Sequence, residues 1–142
     1  MRRRIAALIG TLATAFAIVL ATASPAAAYE INYATDVDWN TDYAKVCTID
    51  TYVFGAGQAC VQPTGDDIWV KDNDKNGYQV AVYWDDLNSA RAGKCVDDLG
   101  VDKAWVLCNK DWTEGHTIRW RFAWETASGW VIPDAPYWDT KV

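Results

Sequence analysis

Four cysteines constrain this chain more than any other feature. Cys47 and Cys60 are separated by 13 positions, and so are Cys95 and Cys108. Each pair brackets a segment with a glycine-containing turn. The equal spacing therefore predicts two local disulfide-closed hairpins, Cys47–Cys60 and Cys95–Cys108, although four cysteines allow three connectivities and sequence alone leaves the other two open. In the chain-entropy model, closing a loop of this size stabilises a fold by about 3 kcal/mol. Zinc is the competing use of cysteine. It is disfavoured here because no C-x-x-C pair occurs and the single histidine, His116, stands far from a second ligand in the sequence.

Disulfides need an oxidising compartment, and the start of the chain supplies a route to one. Three arginines, Arg2 to Arg4, precede an apolar run that ends in Pro25 and the small residues Ala26-Ala27-Ala28. This reads as an export signal cleaved after Ala28, leaving 29–142 as a single domain. The run from Ile5 to Ala23 approaches the roughly 20 apolar residues that span a bilayer, but the Pro and Ala-x-Ala end favours cleavage over anchoring. The arginines raise twin-arginine export as well. The residues after them do not complete that motif, so the general secretory route is expected.

The leader carries three basic and no acidic residues, so its removal moves the net charge from −6 to −9. Such an acidic domain repels phosphate-rich partners, which argues against nucleic acid and anionic membrane surfaces. Stable membrane insertion is not expected once the leader is removed. The expected localisation is secreted, extracellular.

Strand signals recur at short intervals between Gly, Asn, Asp and Pro, and no stretch sustains a helical period. The pattern predicts an all-β fold, an antiparallel β-sandwich of immunoglobulin-like or jelly-roll-like type. The clearest strand is "HTIRWRFAWE". There Ile118, Trp120, Phe122 and Trp124 share one face, with Thr117, Arg119, Arg121 and Ala123 on the other. Ala104–Cys108 reads as a short buried strand, and "GWVIP" as one that closes a sheet. The polar stretch Asp85–Lys94 has room for a single helical turn.

"KDNDKNGYQV", Lys71 to Val80, begins like a calcium loop, with Asp72, Asp74 and Asn76 as ligands. Two features argue against that reading. The twelfth position, where a bidentate Glu belongs, is Tyr83, and both flanks read as strands where the motif needs helices. A hairpin explains the segment better. Pairing Val70 with Val82 and Ile68 with Trp84 sets Trp69 against Tyr83 and leaves Lys75-Asn76-Gly77 as a three-residue loop closed by Asp74 and Tyr78. Asp72 alone keeps no turn role, and a weaker Ca2+ site that borrows a ligand from Asp66, Asp67, Asp85 or Asp86 is the one cofactor reading left open. No other cofactor is indicated.

The chain has nine tryptophans. Aromatic faces stack on sugar rings, so this abundance suggests a glycan or wall component as extracellular ligand. Trp69, Trp84, Trp120 and Trp124 fall in strand patterns that suit a core. Trp39, Trp112, Trp130, Tyr137 and Trp138 lie in polar or turn-rich contexts and are the binding candidates. Catalytic material is sparse. After the leader there are one histidine and two serines, Ser89 and Ser128, and neither serine lies in a nucleophile elbow. Neighbouring acids such as Asp66-Asp67, Asp85-Asp86 and Asp97-Asp98 point to opposite sides of an extended chain, so they do not form a carboxylate pair with each other.

The segments "CVQPTGDDIWVKDNDKNGYQVAVYW" and "CNKDWTEGHTIRWRF" resemble small secreted proteins of Streptomyces and related actinobacteria. The shared motifs are structural, and the resemblance implies a disulfide-framed β region without assigning functional residues. "WRF", Trp120–Phe122, is similar to the Trp-Arg-Tyr segment of actinobacterial α-amylase inhibitors, though it lies within a regular strand. The expectation is a non-catalytic secreted domain that binds an extracellular ligand through exposed aromatics. An inhibitor of an extracellular hydrolase, which would have a protein partner, and a small hydrolase are the alternatives.

Overall fold

The computed structural model describes residues 27–48 and 55–142. Most of the leader, and residues 49–54 of the first disulfide loop, lie outside the described residues. The strands are β1 (Glu30–Tyr33), β2 (Thr35–Asp36), β3 (Val46–Cys47), β4 (Gly57–Gln62), β5 (Asp67–Asp72) and β6 (Val80–Asp86), followed by β7 (Ala92–Asp97), β8 (Val106–Asn109), β9 (Thr117–Thr126), β10 (Gly129–Val131) and β11 (Trp138–Lys141). The first sheet runs β1-β7-β6-β9-β10, with β11 sharing the outer edge of β9. The second runs β2-β8-β5-β4-β3. The two sheets pack into the expected sandwich, antiparallel throughout except that β1 joins β7 in parallel.

Alternation builds the core. In β9, Ile118, Trp120 and Phe122 are buried and Trp124 packs against them, while Arg119 and Arg121 of the opposite face reach solvent. Val80, Val82 and Trp84 of β6 enter the same core, and Ile68 and Val70 of β5 meet them from the second sheet. Burying a large apolar side chain of this kind contributes about 1.5–3 kcal/mol.

Two sequence expectations need correction here. β5 and β6 do not form a hairpin, because β5 pairs with β4 and β8, whereas β6 pairs with β7 and β9. The apolar matching of Ile68 and Val70 with Val82 and Trp84 is satisfied face to face across the sandwich, not side by side within one sheet. Residues 73–79 therefore cross between sheets. The turn chemistry itself is present: Gly77 adopts φ +78, a left-handed conformation that glycine enters without steric penalty.

Both expected disulfides form, but only Cys47–Cys60 ties a hairpin, its cysteines directly opposite each other in β3 and β4. Cys95 lies in β7 and Cys108 in β8, so the second bond joins the two sheets. Equal spacing predicted the pairing but carries no information about which sheet each cysteine enters. The polar stretch after Asp85 turns without a helix, and the 3-10 turn lies instead at Gly100–Asp102.

The edge near Cys95–Cys108 is closed by the chain as well. β1 borders β7 in one sheet and β2 borders β8 in the other, with Ala34 between them donating its amide to the Val96 carbonyl. Gly93 makes this approach possible, since a Cβ there would sit 2.3 Å from the Glu30 carbonyl oxygen. Glu30 receives hydrogen bonds from Arg91 (2.9 Å) and Lys110 (2.8 Å), and the same Lys110 ammonium donates to Asn32. Lys110 is buried over the ring of Trp84.

Candidate functional site

Side chains on one face of a sheet form rows across its strands, and register fixes which residues are neighbours. On the outer face of the first sheet, one row runs Ile31, Lys94, Tyr83, Arg121. The row beside it is low, with Val96, Ala81 and Ala123 following Tyr33. The row on the other side carries Asp85, Arg119 and Asp139. Aromatic side chains cluster over this face. Trp130, from β10, lies 6.0 Å from Tyr83, ring to ring, with the Lys94 ammonium 4.4 Å from its ring centroid. Tyr137 lies under the Arg119 guanidinium at 4.4 Å, and Arg119 in turn pairs with Asp139 through two hydrogen bonds of 2.8 Å. Tyr29, half exposed, stands beside Tyr83, Asp85 and Arg121.

The electrostatics of this face follow from those neighbours. The Tyr29 phenol is pushed up to about 12 by partial burial and by Tyr83 and Asp85, with Arg121 opposing. The Tyr83 phenol is raised by burial. Both remain neutral hydroxyls at ordinary pH, able to donate as well as accept hydrogen bonds. Arg121 donates to the Pro133 carbonyl at 3.2 Å, and among the described residues neither it nor Lys94 has a carboxylate within ion-pair distance.

The five aromatic candidates separate. Trp130 and Tyr137 belong to this face. Trp39 lies on the opposite side of the sandwich, edge-on to Trp69 and 4.5 Å from Trp105, with the Lys45 ammonium over its ring. It covers Trp69, which is thereby fully buried although it points away from the core. Trp138 is half buried and stacks on Trp120 at 4.9 Å. Trp112, expected to be exposed, is buried at 4 % exposure, edge-on to Trp84. Its polar flanks misled because the backbone there is held by Asp66, whose carboxylate accepts the Trp112 amide at 3.0 Å and turns the ring inward.

The chain matches no known protein-family model, curated protein or solved structure.

The calcium candidates adjoin an open depression of about 310 Å³ between the β5–β6 crossing and the segment after β7. Asp72 is buried and does meet a carboxylate there, since its amide donates to Asp97 at 3.2 Å. Asp97 also accepts the amides of Leu99 and Gly100, which fixes the 3-10 turn. Asp72 caps the Asp74 amide at 2.9 Å, Asn76 donates to Asp74, and Tyr78 donates to Asn76. Burial raises the acid dissociation points of both Asp72 and Asp97, and their mutual repulsion adds to this at Asp72. The three candidates thus bind one another and the local backbone. Among the described residues, no group of three His, Cys, Asp or Glu side chains is arranged to hold a metal ion.

His116 and Ser89 converge on Asp86. The Ser89 hydroxyl donates to the Asp86 carboxylate at 2.5 Å, and His116 Nδ1 lies 2.8 Å from the same oxygen. The acid stands between the other two groups, whereas a nucleophilic triad needs the imidazole there to take the serine proton. The "WRF" segment lies within β9, where Trp120 and Phe122 face the core and only Arg121 reaches the outer face.

Sequence reading missed Tyr29, Tyr83, Lys94 and Arg121. Alternation places Arg121 on the outer face of β9. The register of β6 beside β9, which brings Tyr83 next to it, is not visible in an apolar pattern that matches β6 equally well to β5.

Proposed function

We propose that this protein is a secreted, non-catalytic β-domain that binds an extracellular glycan on the outer face of its β1-β7-β6-β9-β10 sheet. The observation that carries this reading is the grouping of Tyr29, Tyr83, Trp130 and Tyr137 on one face with hydrogen-bonding groups between them. Sugar rings stack their C–H faces on aromatic rings, and their hydroxyls need nearby donors and acceptors, which Asp85, Arg121 and the tyrosine hydroxyls provide. The face spans five strands, about 19 Å at the usual strand spacing, enough for several sugar rings in a chain. Secretion is supported by the leader, by two disulfides and by the resemblance to secreted actinobacterial proteins. Among the described residues no helix is long and apolar enough to cross a membrane.

Retention on a panel of immobilised polysaccharides tests the reading. At least one should retain the protein, and Trp130→Ala or Tyr83→Ala should lose that retention, while Trp39→Ala on the opposite face keeps it. A folded protein that no polysaccharide retains would remove the basis of this proposal.

A further inference from the structure

The domain is acidic as a whole, yet the centre of its aromatic face is cationic. Lys94 and Arg121 flank Tyr83 in one cross-strand row, directly opposite it in register on either side. Among the described residues neither has a carboxylate partner, and Arg119 in the next row is already neutralised by Asp139. Asp85 lies in the adjacent row, where register places it beside Arg119. Both side chains point away from the core, and their contacts within the fold, the Tyr83 and Trp130 rings for Lys94 and the Pro133 carbonyl for Arg121, leave their charges without an anion.

We propose that the glycan bound on this face is anionic, a chain of sugars bearing carboxylate groups, held with its rings on Tyr83 and Trp130 and its carboxylates on Lys94 and Arg121. This rests on the glycan-binding reading above and names the class of glycan. Arg121 uses one of its five donors on the Pro133 carbonyl, leaving enough of its fork to take a carboxylate through two parallel hydrogen bonds. Lys94 already lies over Trp130, so an anion drawn to its ammonium is delivered to the ring. The negative field of the rest of the domain opposes a polyanion at long range. It is screened beyond about 8 Å at physiological salt, whereas a contact pair is screened much less.

Polygalacturonate and its fully methyl-esterified form separate charge from stacking, because the sugar ring is the same in both. Titrated into the purified protein and followed by tryptophan fluorescence, the acid form should bind roughly tenfold more tightly than the ester, the factor that about 1.4 kcal/mol represents. Lys94→Gln with Arg121→Gln should abolish that preference, bringing acid and ester to the same affinity, while Trp39→Ala on the opposite face keeps it. Equal binding of acid and ester overturns this inference while the glycan reading stands. Retention of the preference in the double variant, equal binding of inorganic polyphosphate, or dimerisation through this face shown by light scattering would each overturn it too. If neither pectin form nor any neutral polysaccharide binds, both proposals fall.

Discussion

Cys95 and Cys108 lie in different sheets, and their disulfide bridges the sandwich beside the edge that β1 and β2 close. Cys47 and Cys60 lie in neighbouring strands of one sheet. The two bonds close loops of the same sequence separation, 13, so chain entropy alone makes them equal, at about 3 kcal/mol each.

Their surroundings differ, and unequal losses follow. Cys95 and Cys108 are buried in the core, whereas Cys47 sits half exposed on an edge strand. Replacing Cys95 and Cys108 together with alanine should lower stability by about 4–5 kcal/mol, against about 2–3 kcal/mol for Cys47 and Cys60. Urea denaturation of the two double variants would show this order. Equal midpoints would mean that the inter-sheet position adds nothing.

Lys110 offers a test of buried charge. Glu30 is held below its ordinary carboxylate range, since the hydrogen bonds from Arg91 and Lys110 outweigh its burial, while burial lowers Lys110 despite Glu30. Glu30→Gln strands the buried ammonium and should destabilise by about 3 kcal/mol. Adding Lys110→Met removes the stranded charge and should recover most of that loss. A chemical-denaturation double-mutant cycle reads the coupling, and two independent, additive losses would contradict it.

Asp72→Asn should stabilise the domain at neutral pH. Asp72 titrates above its unfolded value in the folded state, so its charge penalises the fold once pH exceeds that raised point. Below the unfolded value, about 4, the carboxyl is neutral in both states and the advantage disappears. Asparagine keeps an oxygen for the Asp74 amide. A Tm gain of about 4 °C at pH 7, the size of a change of about 1 kcal/mol, should therefore fade on acidification below pH 4. A gain that is constant with pH would point to a cause other than charge.

Asp86 has the opposite sign. Burial would raise it, but hydrogen bonds from Ser89, His116 and the Asn88 amide together hold it below the ordinary carboxylate range. Its contribution is present above the unfolded value and is lost as pH falls through the lowered folded value. Asp86→Ala should cost about 3 kcal/mol at pH 7, because it leaves the turn after β6 without its acceptor. His116→Ala should cost about 1 kcal/mol. Thermal melts at pH 7 and pH 3 would show the Asp86→Ala penalty shrinking at the lower pH.

Sequence revealed the layers of this fold better than its connections. The alternation in Ile118–Trp124 made β9 legible, and the cysteine spacing made both disulfides legible. Neither specifies which strands are neighbours. Ile68 and Val70 satisfy the same apolar partners in a hairpin or across a sandwich, so periodicity could not place the 73–79 crossing. The binding candidates show the same limit. Among polar neighbours Tyr137 is exposed and Trp130 is half buried, but Trp112 is turned inward by a carboxylate 46 residues away in sequence. Tyr83 and Arg121 become neighbours only through a register that sequence alone did not reveal.

The closed edge also governs when the chain can fold. β1 must find β7, and β2 must find β8, so residues 30–33 have no strand partner until the chain has extended past Asp97, and residues 35–36 none until it has reached β8. A chain delivered N-terminus first therefore holds its opening strand idle while most of the domain arrives. Such non-local pairing makes folding late and slow. It leaves the sandwich to close only after the greater part of the chain is available.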